Sequence, residues 1–260
     1  MAAEPRLGER NVLRALLALG LAVGVLGFTR LRGEFDCYMA IHRWLQEHGV
    51  SEPVRNLDSS LLLVLACFVA AAIAHSPRRM LSGLGLTGSL LRGLALAVLA
   101  GLPMLVLGFF GRTTMQVDFD TVRGAIVAPF VEELFFRATL VGIAVQVGKA
   151  PFWPTTILAG LLFGAMHVPW NASLGSEHLG VLLVTTAGGV WFAWILRSHD
   201  WNLWTTIGLH AVMNGAWMVF ALAPDAAGGL WANLSRAATI GLGTWLTLRH
   251  LRRPRPVEPG

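Results

Sequence analysis

Apolar residues in this chain fall in long unbroken runs separated by short polar stretches, rather than in an alternating pattern or a one-sided helical pattern. A bilayer crossing takes about 20 residues, so the runs predict about eight transmembrane helices. They lie at 11–29, 57–75, 90–110, 121–147, 152–169, 178–197, 202–223 and 228–250. Between the first two, Arg30 to Asn56 mixes charges with Tyr38, Trp44 and spaced apolar residues. That pattern predicts an amphipathic helix on the membrane surface, with a solvated loop as the alternative. Gly/Ser-rich residues 76–87, with Pro77, Arg78 and Arg79, read as a connecting loop, as do residues 112–120. Gly160 and Gly164 form a small-xxx-small face suited to close helix approach. The expected fold is an all-α polytopic bundle. Residues 1–120 form an N-terminal membrane region, 121–223 a core, and 224–260 a last helix with a basic tail.

Composition narrows the class. The chain is 55% hydrophobic and only 13% charged, with mean hydropathy +0.60, which fits an integral membrane protein and leaves no room for a soluble domain. A net charge of +5 and a pI near 10.5 would suit a nucleic-acid partner. The basic residues sit at the ends of apolar runs, however, where the positive-inside bias explains them, so nucleic acid is excluded. With the N-terminus cytoplasmic, the inner side holds Arg6, Arg10, Arg14, Arg78, Arg79, Arg92, Lys149, Arg197, Arg249, Arg252, Arg253 and Arg255. The outer side holds Arg30, Arg32, Arg43, Arg55, Arg112 and Arg123, most of them among acids. Both termini are therefore expected in the cytoplasm. The basic N-terminus and apolar run resemble a signal peptide, but 11–28 has no convincing small-residue cleavage site and reads as a retained span. Cys37 and Cys67 lack CxxC spacing and read as buried or interfacial side chains.

Ionisable groups inside the spans change the picture further. Ala128 to Arg137 places Glu132, Glu133 and Arg137 in an otherwise apolar run. Each such charge costs about 2.5–3.5 kcal/mol at a bilayer centre on insertion scales, so such residues usually face a protein-lined cavity. Glu133 and Arg137 are i,i+4 with the acid first, the favourable order for an ion pair. Glu132 points about 100° away, toward neighbouring helices. Structural glue in a bundle is the plain alternative. Two later pairs shift the balance: Phe163 with His167, and His210 with Asn214, again at i,i+4. Glu132 and His210 fall at a similar depth, with Asn214 and His167 nearer the outer face.

A carboxylate, two imidazoles and an amide from separate spans could act on one water and one carbonyl. Glu132 would serve as base, His167 would share the water or shuttle its proton, and Asn214 with His210 would stabilise the oxyanion. Phe163 would pack against or cover the site. The other histidines, His42, His48, His75, His178, His199 and His250, fall at span ends or in loops. Two His and one or two Glu could also hold zinc. The His-Glu-x-x-His spacing of a zinc peptidase is missing, so no cofactor is expected.

Glu132-Glu133-x-x-x-Arg137, Phe163-x-x-x-His167 and His210-x-x-x-Asn214, in this order on successive spans, resemble the CaaX-processing and bacteriocin-processing (CPBP, or ABI) intramembrane proteases. The resemblance covers roughly residues 121–220. It implies an intramembrane endopeptidase in which Glu132 and His167 activate water and His210 with Asn214 form the oxyanion site. Glu133, Arg137 and Phe163 support them. It also implies a protein partner anchored in a lipid bilayer, and a bacterial inner (cytoplasmic) membrane as location. A site in the outer half favours cutting a membrane-tethered protein near its C-terminal anchor over general CaaX cleavage. The rival readings are a non-catalytic immunity or scaffold protein of the same fold and a proton-coupled transporter.

Overall fold

Backbone polar groups have no water to bond in a bilayer, and helices satisfy them internally. Every regular element among the described residues is indeed helical. The computed structural model describes residues 7–55, 57–111, 115, 117–169, 175–223 and 228–252. Arg6, Asn56, Arg112, Arg253 and Arg255, and with them most of the basic tail, lie outside the described residues.

The helices are α1 (Leu7–Leu31), α2 (Asp36–Glu47), α3 (Leu57–His75), α4 (Leu90–Gly111), α5 (119–146), α6 (Phe152–Met166), α7 (Ser176–Ser198), α8 (Leu203–Val219) and α9 (Leu230–Leu251). Helix thus occupies each of the predicted runs. Among the described residues four stretches are long and apolar enough to cross a membrane: Gly8–Glu34, Leu57–His75, Leu90–Gly111 and His178–Ser198. By length and composition these describe an integral membrane protein. Two of the other runs fall short for visible reasons. Helix α6 is a shorter apolar helix of 15 residues, and α5 carries the charged cluster and is interrupted. The segment expected as one amphipathic helix is divided, over its described residues 30–55, into the end of α1, a 3-10 turn, α2 and a short helix Glu52–Arg55.

Helix pairing follows small side chains. Ala15, Ala18 and Ala22 on α1, and Cys67, Ala70, Ala71 and Ala74 on α3, fill one buried cluster where those helices pack. Large apolar residues point outward instead: Leu61, Leu65, Leu91, Phe110, Leu158 and Trp231 are all exposed. Close approach of backbones inside and apolar bulk outside is the arrangement expected where lipid is the solvent. A Cβ on Gly164 of α6 would lie 2.7 Å from the Leu182 carbonyl oxygen of α7, so only glycine permits that spacing.

Neighbouring contacts also fix helix direction. Gly93, Gly101 and Gly108 of α4 face Trp204 and Val212 of α8 and Phe220 at its C-terminal end in the same order, so these two are parallel. Gly160 and Gly164 face Thr186 and Leu182, so α6 and α7 are antiparallel. Gly124 faces Met218 while Glu133 meets His210, which makes α5 antiparallel to α8.

Helix α5 changes winding along its length, from α at Phe119–Val122 to π at Arg123–Val127, back to α at Ala128–Glu132, then π at Glu133–Ile143 and α at Ala144–Gln146. The first wide turn has a cause in Pro129. Proline has no N–H to offer and its ring crowds the carbonyl four residues back, at Ala125, so the turn there opens. In the second, Thr139 Oγ1 donates to the Leu134 carbonyl 2.9 Å away, a bond that spans five residues.

Candidate active site

The site forms where α5, α6, α7 and α8 meet. Glu133 and Arg137 lie on the buried side of α5, 0% and 1% exposed, with Arg137 Nε 3.3 Å from Glu133 Oε2. The i,i+4 ion pair read from the sequence is present. The two atoms are within ion-pair reach but not aligned as a hydrogen bond, and Nε, Nη1 and Nη2 of Arg137 have no hydrogen-bond partner among the described residues. Aromatic faces take that place. The guanidinium carbon sits 4.2 Å from the Phe163 ring centre, 5.5 Å from that of Phe192 and 5.9 Å from that of Phe136. A desolvated cation held against rings gains up to about 2 kcal/mol or more from the ring quadrupole.

His210 of α8 lies between the two glutamates. Its Nδ1 is 2.8 Å from Glu133 Oε1 and its Nε2 is 3.7 Å from Glu132 Oε2. An ionised carboxylate only accepts, so beside an ionised Glu133 it is Nδ1 that carries a proton and donates. Nε2 is then left facing Glu132, as lone pair in the neutral ring or as donor in the imidazolium. The Glu132 side chain is 27% exposed while that of Glu133 is sealed. Adjacent residues of one helix therefore divide into a fixed acid and an accessible one.

The remaining expected residues stand further out. Asn214, one turn above His210, donates through Nδ2 to the Gly124 carbonyl at 3.1 Å, and that carbonyl belongs to the first wide turn of α5. Its second N–H is not engaged by any described hydrogen bond. Phe163 is buried and packs edge-on against Phe136 at 5.0 Å and against His167 at 4.5 Å. Helix α6 ends at Met166, so His167 is the first residue beyond it, exposed, with Nδ1 2.8 Å from the Phe163 carbonyl oxygen. No described hydrogen bond or ion pair joins His167 to Glu132. From the far end of α1, Arg30 donates to the Met166 carbonyl at 2.6 Å and so ties down the helix end that carries His167.

Sequence reasoning did not find the His210–glutamate contact, Phe192, Phe136 or Arg30. Phe192 and Phe136 are aromatic residues in apolar runs, with no polar signal to mark them. Among the described residues no group of three His, Cys, Asp or Glu is arranged to hold a metal. His210 Nδ1 meets Glu133, and its Nε2 is turned toward Glu132.

Neither the curated proteins nor the solved structures give a match to this chain. One family model does match, that described as "Type II CAAX prenyl endopeptidase Rce1-like", over residues 115–216. That span runs from just before α5 to Ala216 in α8, and so contains Glu132, Glu133, Arg137, Phe163, His167, His210 and Asn214. In agreement with the resemblance carried by these motifs, residues 115–216 are an Rce1-like domain of the CPBP family.

Proposed function

We propose that the protein is an intramembrane endopeptidase that hydrolyses a peptide bond of a membrane-anchored protein near its C-terminal anchor. The observation that carries this reading is the His210 imidazole held between buried Glu133 and accessible Glu132, inside the Rce1-like domain. Glu132 accepts a proton from water as it attacks the scissile carbonyl. His167, on the exposed end of α6, shares that water or passes the proton on toward the leaving nitrogen. The oxyanion is met by the second N–H of Asn214 and, in its imidazolium form, by Nε2–H of His210. Placed donors of this kind contribute about 3–4 kcal/mol each in acyl-transfer enzymes. Arg137 neutralises Glu133, and the Phe163 ring covers Arg137.

The same reading has all eight long helices crossing the membrane with both termini cytoplasmic. The helix directions support it: α4 and α8 parallel, α6 antiparallel to α7 and α5 antiparallel to α8 are the relations that alternating crossings require. The site then leans toward the outer half of the membrane. A substrate delivered from outside reaches it more readily than a prenylated tail presented from the cytoplasm. Its helix must unwind to expose a carbonyl.

Comparative proteomics of cells carrying the wild type or Glu132→Gln tests the reading. Uncut C-terminal anchors accumulate in the variant. Full complementation by a folded Glu132→Gln protein would instead favour a non-catalytic immunity or scaffold role.

A further inference from the structure

Phe192 stands outside every motif noted in the sequence, yet it contacts both polar groups that flank Glu133. Its ring stacks on His210 with centroids 5.1 Å apart and planes 29° apart, and the Arg137 guanidinium carbon is 5.5 Å from its centre. It is 7% exposed and packs in a buried cluster with Ala97, Ala100, Ile195 and Leu209. Next to it, Trp191 meets its edge at 5.1 Å and donates Nε1–H to Thr244 Oγ1 at 3.0 Å, which pins this part of α7 to α9.

Resting on the proteolytic reading above, we infer that Phe192 is a positioning residue that holds the His210 imidazole in its working plane between the two glutamates. Contacts at Nδ1 and Nε2 define a line through the ring from Glu133 to Glu132, but they leave the ring free to tilt about that line. A flat surface against the ring face removes the tilt, and Phe192 supplies it. The same ring also lies against Arg137. When His210 carries a second proton during turnover, the π face of Phe192 attracts it. Phe192 itself touches neither water nor substrate in this scheme. Its effect passes through His210 and falls on the chemical step, not on substrate binding.

The test uses full-length protein in nanodiscs, labelled with ¹⁵N-histidine, with the variants Phe192→Leu and Phe192→Tyr. Peptide cleavage and the His210 ring nitrogen resonances are read on the same samples. Phe192→Leu should lower kcat about tenfold with KM within about twofold. It should also shift or broaden the His210 ring signals, while Phe192→Tyr, which keeps the ring face, restores both. Where Phe192→Leu lowers thermal stability, Phe192→Met keeps the bulk without the ring and gives the same kcat loss. Unchanged kcat and unchanged His210 signals in a ring-less variant overturn the inference, as does failure of a folded Phe192→Tyr to restore them. An inactive wild type would sink the proteolytic reading, and the ring signals alone would still decide whether Phe192 restrains His210.

Discussion

Arg137 and Glu133 are sealed from solvent by the same helices that they help to join. Removing one member of such a pair strands the other as a buried charge, which costs about 3–5 kcal/mol. Arg137→Ala should therefore lower the thermal unfolding temperature and cellular abundance as well as activity. A variant that stays fully stable and loses only turnover would move Arg137 into the substrate site. Glu132 is different, because it is partly exposed and holds no described residue in place except through its 3.7 Å approach to His210. Glu132→Gln should leave the unfolding temperature close to wild type and reduce cleavage at least 10²–10⁴-fold, roughly the contribution of a positioned general base. At this scale the sequence was legible where partners share a helix. The four-residue spacing of Glu133 and Arg137 sufficed, since helix geometry alone brings them together. The partner of Glu132 was not legible, because it comes from α8, 78 positions along the chain, and depends on how the two intervening helices pack. Asn214 was assigned from its motif to the oxyanion, and its bond to the Gly124 carbonyl could not be foreseen without the wide turn that presents that carbonyl.

Helix-level features decide how firmly those residues are held. The α6–α7 contact depends on Gly164, where an added Cβ would fall 2.5 Å from Thr186 Oγ1 and 2.7 Å from the Leu182 carbonyl oxygen. Backbone cannot give way as a flexible side chain can, so Gly164→Ala should destabilise by about 1–3 kcal/mol, measured by thermal unfolding. It should also disturb Phe163 and His167, which ride on the same helix. The turn between α7 and α8 holds a second dependence. His199 stacks on His250 at 4.5 Å with Nε2 3.2 Å from Thr247 Oγ1, and its pKa is pushed down to about 4 by burial and then by the neighbouring His250. The folded protein thus favours neutral His199, whereas an unfolded chain takes up the proton near pH 6.5. The stability linked to this group is complete above about pH 6.5 and is lost as pH falls toward about 4. Unfolding temperatures of detergent-solubilised protein should drop across that window, and less so in His199→Asn. An equal drop in both would remove His199 from the account. Helix ends were less legible than helix positions, as at Met166, because an end depends on partners such as Arg30 that no local pattern reveals.

Taken whole, the molecule places an accessible acid, a clamped imidazole and an amide where α5, α6 and α8 meet, and the long apolar helices keep that place in the membrane. The all-helical fold was legible because apolar runs of this length permit little else in lipid. The number of crossings was less so, since α5 and α6 each depart from the uniform apolar span in a way that follows from the site or from packing. Metal dependence belongs to this scale too. Dialysis of active protein against a chelator should leave the cleavage rate unchanged, and a loss reversed by one stoichiometric zinc would contradict the water-activation scheme. The central claim is that Glu132 drives peptide-bond hydrolysis at this site. It is tested most directly by incubating reconstituted wild type and Glu132→Gln protein with a membrane-anchored substrate in ¹⁸O-water and reading the products by mass spectrometry. The account predicts a new C-terminus carrying ¹⁸O from the wild type only, with both proteins unfolding at the same temperature. Equal cleavage by a folded Glu132→Gln protein would contradict it.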